Sequence, residues 1–462
     1  MSLQKRVKTM SSDLKPFSKR TRQIKLGLMF QASGHHIASW LLPETDADCA
    51  LDFKKYTSLA KTAERGLFDL IFEADSLSGE RFTADTLPRT ALGMRIEPMT
   101  CLTALAAVTE EIGLVCTATT TYDQPYFIAR RFASLDLISG GRSGWNVVTS
   151  ANASEGRNFG IEEQLPKAER YRRAREFVEV VRGLWGSWDE GSLLIDRERG
   201  LFYDPNGLHV LDHVGDFFSV RGPLTTYRSP QGEPLIVQAG ASDEGRQLAA
   251  ETADLVFAAH QSIESAREFY SDIKTRAEAV GRNPKHVLIM PGFGVMVAKS
   301  RQEALDNFGE LQNLISPEVG VALLSRYLVW DLQDYDVDGP IPELPAGRNV
   351  PTRSAMLAST ARAEGLSIRQ LYQRIAGGRG HFQVIGSIAD VADKMEEWFH
   401  DGAADGFNII PQVFPSSLNE FVDLVVPELQ RRGIFRTKYE GKTLREKLEL
   451  PIPRKVSLRH RR

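Results

Sequence analysis

The sequence has few of the features that mark secreted, metal-dependent or nucleic-acid-binding proteins. Only three cysteines occur in 462 residues, at Cys49, Cys101 and Cys116, and no two of them form a CxxC pair. This pattern predicts free thiols rather than a disulfide framework or a zinc site. The 57 basic and 60 acidic residues give a net charge of -3, without the basic surplus of a nucleic-acid-binding protein. We therefore expect no nucleic acid among its partners.

Long apolar runs are also absent. No stretch approaches the roughly 18 uncharged apolar residues that a membrane-spanning helix requires. The basic first 22 residues are not followed by the apolar segment of a secretory signal. The sequence therefore predicts a cytoplasmic protein with no membrane contact. The basic segments 1–22 and 451–462 are expected to be flexible termini.

Several well-known catalytic motifs are missing as well. The sequence has no HExxH, no P-loop, no GxSxG and no GxGxxG after a predicted strand. His35 and His36 are adjacent, which is not the HxH spacing of metal-dependent barrel hydrolases. We expect no metal site, and a hydrolase of that kind is a distant alternative.

What is present is an alternation of short apolar runs and amphipathic segments. Eight predicted strands, each followed by a predicted helix, begin at Lys25, Leu67, Leu114, Trp145, Leu235, Leu255, Val287 and Phe407. This alternation indicates an α/β protein with a parallel sheet, and eight units are the number that closes a (β/α)8 TIM barrel. An open doubly wound sheet is the alternative, but the glycine fingerprint typical of that fold does not follow the first predicted strand. We predict a single barrel domain over residues 23–450, with irregular insertions at about 189–233 and 316–380.

The predicted strand ends carry mostly neutral hydrogen-bonding groups. Such a rim suits a large polar ligand with one anionic group. The turn after the fifth strand is the best anion candidate, because Ser242 occupies a helix N-cap position. The backbone N–H groups of Asp243, Glu244 and Gly245 are then expected to face an anion. The alternative is that Ser242 only caps its helix.

Several motifs, in order along the chain, resemble one family. They include TTTYDQPY at 119–126, SGGRSGWNVVTS at 139–150, VRGPL at 220–224, VQAG at 237–240 and VPELQRRG at 426–433. They are similar to the bacterial-luciferase-like flavin-dependent monooxygenases, and within them to the group of nitrilotriacetate monooxygenase component A and dibenzothiophene sulfone monooxygenase. The resemblance covers residues 23 to 450 and is specific for the group, not for a substrate.

The resemblance implies reduced FMN as co-substrate, delivered by a separate NAD(P)H:flavin reductase. Carried over by position, the cofactor-binding residues are Asp75, Thr121, Lys167, Tyr171 and Ser242. Ser242 and Tyr171 are expected at the phosphate, and Asp75 and Thr121 near the flavin ring. Many relatives have a histidine where this chain has Lys167. His36 matches a histidine on the substrate side of the flavin and is the candidate catalytic residue, with a loop-shaping hydrogen bond as its alternative role.

The implied function is that of the oxygenase component of a two-component FMNH2-dependent monooxygenase. It would insert one atom of O2 into a small organic substrate, with C–N or C–S cleavage as possible outcomes. The alternatives are an F420-dependent dehydrogenase of the same superfamily and a flavin-binding protein without turnover. Arginines in the 77–97 and 340–380 segments fit an anionic substrate or solvated loop charge. A homodimer or homotetramer is expected.

Overall fold

The computed structural model describes residues 22–31, 33–79, 86–150, 152–343 and 352–453. Nine parallel strands form its large sheet. They are β1 (Lys25–Phe30), β2 (Leu70–Glu73), β3 (Gly113–Thr119), β4 (Ser143–Val148), β5 (Leu235–Gln238), β6 (Leu255–Ala258), β7 (Leu288–Ala298), β8 (Phe382–Ser387) and β9 (Gly406–Pro411).

Eight of these strands close into a barrel. β1 pairs with β2 on one side and with β9 on the other, and neighbouring strands follow in chain order from β1 to β7. β7 completes the ring, because its first residues pair with β6 and residues Gly292–Val295 pair with β9. The predicted (β/α)8 barrel is confirmed.

The ninth strand, β8, is absent from the prediction. It lies outside the ring and pairs with β7 from Phe293 to Ala298. β7 is therefore 11 residues long, whereas the sequence shows a clear apolar run only at its start. The Pro291 and glycines that follow that run favour a turn in sequence terms, but here the sheet continues through them.

Fifteen α-helices lie in the described residues. They are α1 (Phe53–Arg65), α2 (Pro98–Ala106), α3 (Pro125–Ser139), α4 (Ala153–Arg157), α5 (Lys167–Trp185), α6 (Asp243–Thr252), α7 (Ile263–Ala279), α8 (Arg301–Asn313), α9 (Pro317–Leu328), α10 (Thr352–Ala363), α11 (Ile368–Gly378), α12 (Ile388–His400), α13 (Ser416–Glu420), α14 (Val426–Arg431) and α15 (Leu444–Lys447). A π-helical turn, Phe421–Val425, joins α13 to α14.

Local signals explain most of the helix bounds. Asp52 caps α1 by accepting a hydrogen bond from the N–H of Lys54, and Gly140 ends α3 with a φ of 70° that favours glycine. The apolar pattern of the sequence predicts that the helix beginning at Pro98 extends to Ile112, but α2 ends at Ala106. The Glu64 carboxylate accepts N–H groups of residues 110 to 112, at 2.5 to 3.0 Å, and so draws this segment out of the helix.

The two predicted insertions, at about 189–233 and 316–380, are called the first and the second excursion from here on. Both contain more regular structure than the sequence indicates. The first holds two antiparallel ribbons, Leu193–Asp196 with Leu201–Tyr203 and His213–Val214 with Ser219–Val220. The second, predicted to be irregular, contains α9, α10 and α11. Their apolar side chains form a separate cluster that includes Leu324 and Tyr372. This mutual burial stabilises helices whose individual patterns are short. The assignment of 23–450 to one domain stays a prediction.

The first and last described residues are hydrogen-bonded to other parts of the chain, and the flexibility of the two termini stays a prediction. Arg22 donates to the Ala404 carbonyl at 2.5 Å and to Asp405 at 2.8 Å. The Pro453 carbonyl accepts from Arg228 at 3.1 Å. Residues 1–21 and 454–462 lie outside the described residues. No helix within the described ranges is long and apolar enough to cross a membrane.

Candidate active site

An open cleft of about 520 Å³ lies at the carboxyl ends of β4 and β5. Asp75 reaches it from the end of β2, Lys167 and Tyr171 from α5, and Ser242 from the turn before α6. Active sites of (β/α)8 barrels form at this end of the strands. The fold therefore brings together four of the five predicted cofactor-binding residues.

The turn from β5 into α6 is tightly built. A Cβ atom on Gly240 would lie 2.7 Å from the Cα of Gly245, so both backbones approach as only glycine permits. Ser242 caps α6, since its Oγ accepts from the N–H of Gly245 at 3.3 Å. The N–H of Gly245 is therefore engaged by the cap, and it does not face an anion as expected from the sequence. Ser242 Oγ and Tyr171 Oη lie 3.4 Å apart in a hydrogen bond, so the two hydroxyl groups meet at the cleft.

Three cations line this cleft. Lys167 Nζ lies 2.7 Å from Glu244 Oε2, and this hydrogen bond lowers the pKa of Glu244. Arg170 contacts the Gln164 side chain, while its buried Nε has no hydrogen-bond partner among the described residues. Arg326 enters from α9 in the second excursion. The cleft thus combines positive charge with an unused donor.

Thr121, the fifth predicted residue, does not line the cleft. Its Oγ1 donates to the Thr149 carbonyl at 2.9 Å, and Thr149 is part of the wall. The neighbouring Ser150 has a φ of 42°, a strained value for a residue other than glycine, and its Oγ lies 2.8 Å from Thr119 Oγ1. Thr121 therefore supports the wall from behind.

A second cavity, of about 190 Å³, adjoins the cleft and shares Asp75 and Ser150 with it. Its apolar walls include Met99, Ile128 and Phe159. The Phe159 ring stacks on Tyr122 with centroids 4.6 Å apart. The two cavities together offer a polar compartment next to an apolar one.

His36 lies at the same end of the barrel, after β1, and is 1% exposed. Its Nδ1 accepts from the N–H of Ala38 at 3.2 Å, and its Nε2 lies 3.4 Å from Gln312 Oε1. An accepting Nδ1 places the ring proton on Nε2, which then donates to Gln312. Burial lowers the pKa of His36 to about 3, so the ring is neutral at pH 7.

The adjacent His35 has a different environment. Its Nδ1 lies 3.0 Å from Gln31 Oε1, and its buried Nε2 has no hydrogen-bond partner in the described ranges. Its ring meets His381 edge-on, with centroids 6.2 Å apart. Burial, followed by the nearby charge of Arg379, lowers the pKa of His35. A neutral histidine with an unused nitrogen therefore sits beside a guanidinium.

The sequence matches the family described as luciferase-like monooxygenase over residues 32–406. The chain belongs to this family. It is 47% identical to N-acetyl-S-(2-succino)cysteine monooxygenase of Bacillus subtilis (strain 168), an alignment that covers 94% of this chain and 99% of that protein. It is 46% identical to nitrilotriacetate monooxygenase component A of Aminobacter aminovorans, covering 94% and 98%. The predicted family and its flavin-dependent monooxygenase activity are confirmed.

Solved structures agree with this assignment. DmoA from Hyphomicrobium sulfonivorans superimposes with a TM-score of 0.84 at 33% identity, covering 92% of each chain. Riboflavin lyase, solved with modified FMN and riboflavin, gives a TM-score of 0.82 at 32% identity, covering 94% of this chain and 97% of that one. An F420-dependent secondary alcohol dehydrogenase is 13% identical with a TM-score of 0.55, which shows a shared fold alone.

Sequence reasoning missed two residues that the fold adds to this end of the barrel, Arg326 and His381. Arg326 lies in the second excursion, where no motif indicates its position. Arg379, one of the arginines of the 340–380 segment, follows α11. His381 stands between that excursion and β8, and packs on Phe257 with centroids 5.2 Å apart. No group of three or more His, Cys, Asp or Glu side chains in the described part of the chain could hold a metal ion.

Proposed function

We propose that this protein is the oxygenase component of a two-component system that uses reduced FMN and O2 to oxidise a small polycarboxylate. The observation that carries the proposal is the cleft in which the hydroxyl groups of Tyr171 and Ser242 meet at the start of α6, 3.4 Å apart. Family membership supplies the flavin chemistry, and this cleft supplies a place for the flavin's anionic end.

The residues present fit FMN. The buried Arg170 Nε without a partner, the start of α6 and the two hydroxyl groups together suit a phosphate. Tyr171 and Ser242 would hold this phosphate, and Asp75 would lie toward the ring, with Thr121 acting through Thr149. Lys167 is the weakest of the proposed contacts, because Glu244 already neutralises it. Bound reduced flavin supplies the activation of O2.

The chain's own contribution to the reaction is to exclude water, orient the substrate and manage a proton. His36 is the proposed catalytic residue. Because its ring is neutral and donates from Nε2, it can offer a hydrogen bond without adding charge. His35 is the alternative residue for this role, since its Nε2 has no partner within the described residues.

The substrate class follows from the relatives and from charge. The two relatives at 46–47% identity are named for nitrilotriacetate and N-acetyl-S-(2-succino)cysteine. Both names denote small polycarboxylates, one with a tertiary amine and the other with a thioether. Arg379, whose charge is felt by both His35 and His36, would attract such an anion. Oxidation at the carbon next to nitrogen or sulfur would cleave the C–N or C–S bond.

The proposed partners are a separate NAD(P)H:flavin reductase and further copies of this chain. One relative is named as a single component of nitrilotriacetate monooxygenase, and pristinamycin IIA synthase is named by two different subunits. Such names denote systems of more than one protein. Exposed apolar side chains on α3, Phe127 at 54% and Ile138 at 56%, border an open groove of about 450 Å³. These side chains support a homodimer or homotetramer.

A coupled assay tests the function. The protein is incubated with FMN, NADH, a generic flavin reductase and panels of aminopolycarboxylates, thioether acids and aryl sulfones. We expect substrate-dependent product with an oxygen atom from 18O2. Product that carries no oxygen atom from 18O2 would indicate a dehydrogenase, and flavin binding without any product would indicate a binding protein. Either result would overturn the proposal.

A further inference from the structure

We infer that Arg326, carried by the second excursion, is a phosphate-binding residue of the flavin site. This inference rests on the proposed function and adds a residue from outside the barrel core. The cleft needs a cation there, since a phosphate monoester carries about -1.5 to -2 charges at pH 7. The question is which of the basic residues in the cleft is available to meet that charge.

The two cations on α5 are already partly engaged. Lys167 Nζ forms an ion pair with Glu244 Oε2 at 2.7 Å, so its charge is compensated within the protein. Arg170 is held by the Gln164 side chain, although its Nε stays without a partner among the described residues. The acidic side of the cleft is also fixed, because Glu155 accepts from Ser76 Oγ at 3.0 Å and from the N–H of Leu77 at 3.3 Å.

Arg326 differs from both. It is exposed, it lines the cleft, and it forms no hydrogen bond or ion pair with any residue that the structure describes. An uncompensated guanidinium facing a site built for one anion is well suited to that anion, because its planar donors match phosphate oxygens in pairs. Arg326 and Tyr171 thus belong to the same cleft from two different elements.

The helix that carries Arg326 is firmly held. Leu324 and Leu328 are fully buried in the apolar cluster of the excursion. Arg326 is two residues from each, and so roughly opposite to them around the helix. The next residue, Tyr327, donates through its hydroxyl to the Arg379 carbonyl at 3.1 Å. The arginine is therefore presented to the cleft by a helix that is anchored on its other side.

Anaerobic titrations with reduced FMN and reduced riboflavin test this role. Riboflavin lacks the phosphate. Arg326→Gln is expected to weaken FMN binding about tenfold, at the lower end for a charged hydrogen bond because the site is open, and to leave riboflavin binding within about twofold. Arg326→Lys should lie between the two. Arg374→Gln is the matched control, since that exposed arginine of α11 pairs with Glu364.

The outcomes separate this inference from the proposed function. Unchanged FMN affinity in Arg326→Gln, with selective loss in Ser242→Ala, would overturn the inference and leave the function intact. No selective loss in either variant would place the phosphate elsewhere and would overturn both this inference and the proposed phosphate site, whereas the oxygenase function is tested separately by the coupled assay. A raised KM for the carboxylate substrate with unchanged FMN affinity would assign Arg326 to the substrate and would also overturn the inference.

Discussion

The two ends of the barrel differ in how completely their buried carboxylates are hydrogen-bonded. At the amino end, both oxygens of Asp254 are occupied, by Arg445 at 2.7 and 3.1 Å and by the N–H of Ile236 at 2.9 Å. Near the carboxyl end, Glu73 is 3% exposed, and its Oε2 has no hydrogen-bond partner among the described residues.

The pKa values follow this difference. Burial alone would raise the pKa of Asp254, but the ion pair with Arg445 is strong enough to make the net shift downward. Burial raises the pKa of Glu73 to about 8, with Arg95 opposing the shift only in part. The amino end is thus built for stability, whereas the carboxyl end retains unsatisfied polar atoms beside the site.

The largest expected effect is a loss of stability from a substitution at the amino end of the barrel. Arg445→Met would leave the buried Asp254 without its ion-pair partner, and we expect it to lower the free energy of unfolding by about 3–5 kcal/mol. Urea unfolding monitored by tryptophan fluorescence measures this change. Arg199→Met, at an exposed pair with Asp196, is the control and should change stability by less than about 1 kcal/mol. FMN affinity of the folded Arg445 variant should be unchanged.

The next effect concerns catalysis at the carboxyl end. His36→Asn is expected to lower kcat about 100-fold, because it removes a positioned proton donor, while the unfolding midpoint and the FMN affinity stay near the parent values. His400→Asn, on the exposed end of α12, serves as the control. If His35→Asn loses the activity and His36→Asn keeps it, the proton role belongs to His35. With a pKa of about 3, His36 should add no pH dependence between pH 5 and 8.

A third test uses pH to contrast the two carboxylates. Because the folded-state pKa of Glu73, about 8, exceeds the ordinary value of 4.5, its protonated form favours the folded state. This stability is complete below pH 4.5 and is lost as the pH rises toward 8. Between pH 5.5 and 7.0 this single carboxyl group lowers the free energy of unfolding by about 2 kcal/mol. Glu73→Gln should abolish that part of the pH dependence, and equal pH slopes in both proteins would contradict it.

The smallest effect is the most selective. Ser242→Ala and Tyr171→Phe should each weaken reduced FMN about 10- to 30-fold and leave reduced riboflavin nearly unchanged. Equal loss of both flavins would show that the phosphate site is misplaced. A lower melting temperature of the Ser242 variant, with or without ligand, would instead report a lost helix cap.

The sequence predicts the barrel well because its elements are locally encoded. The sequence pattern alone predicts helices over Phe53–Arg65, Asp243–Thr252 and Ile388–His400, and these are the bounds of α1, α6 and α12. Each of them has a cap residue and a regular apolar face. Ser242 and Tyr171 are found by motif and are brought together by the fold.

The parts that could not be predicted depend on distant contacts. Glu64 ends α2 early by accepting hydrogen bonds from N–H groups that lie at least 46 residues away in sequence. β8 forms because it pairs with the exposed edge of β7. Arg326 has no local signal, since its place in the cleft depends on how α9 packs against α11.

The segment after α14 has a consequence for the growing chain. Asp69 lies in the first quarter of the sequence, yet its buried ion-pair partner is Arg436. Asp254 likewise forms its ion pair with a residue made much later, Arg445. Leu444 and Leu448 fill the amino end of the barrel interior, and β1 has no second neighbour until β9 is made. A ribosome must therefore deliver the chain through about residue 448 before the amino end of the ring is filled. A chain cut before Arg436 should be removed by proteases, although every strand of the barrel is still encoded.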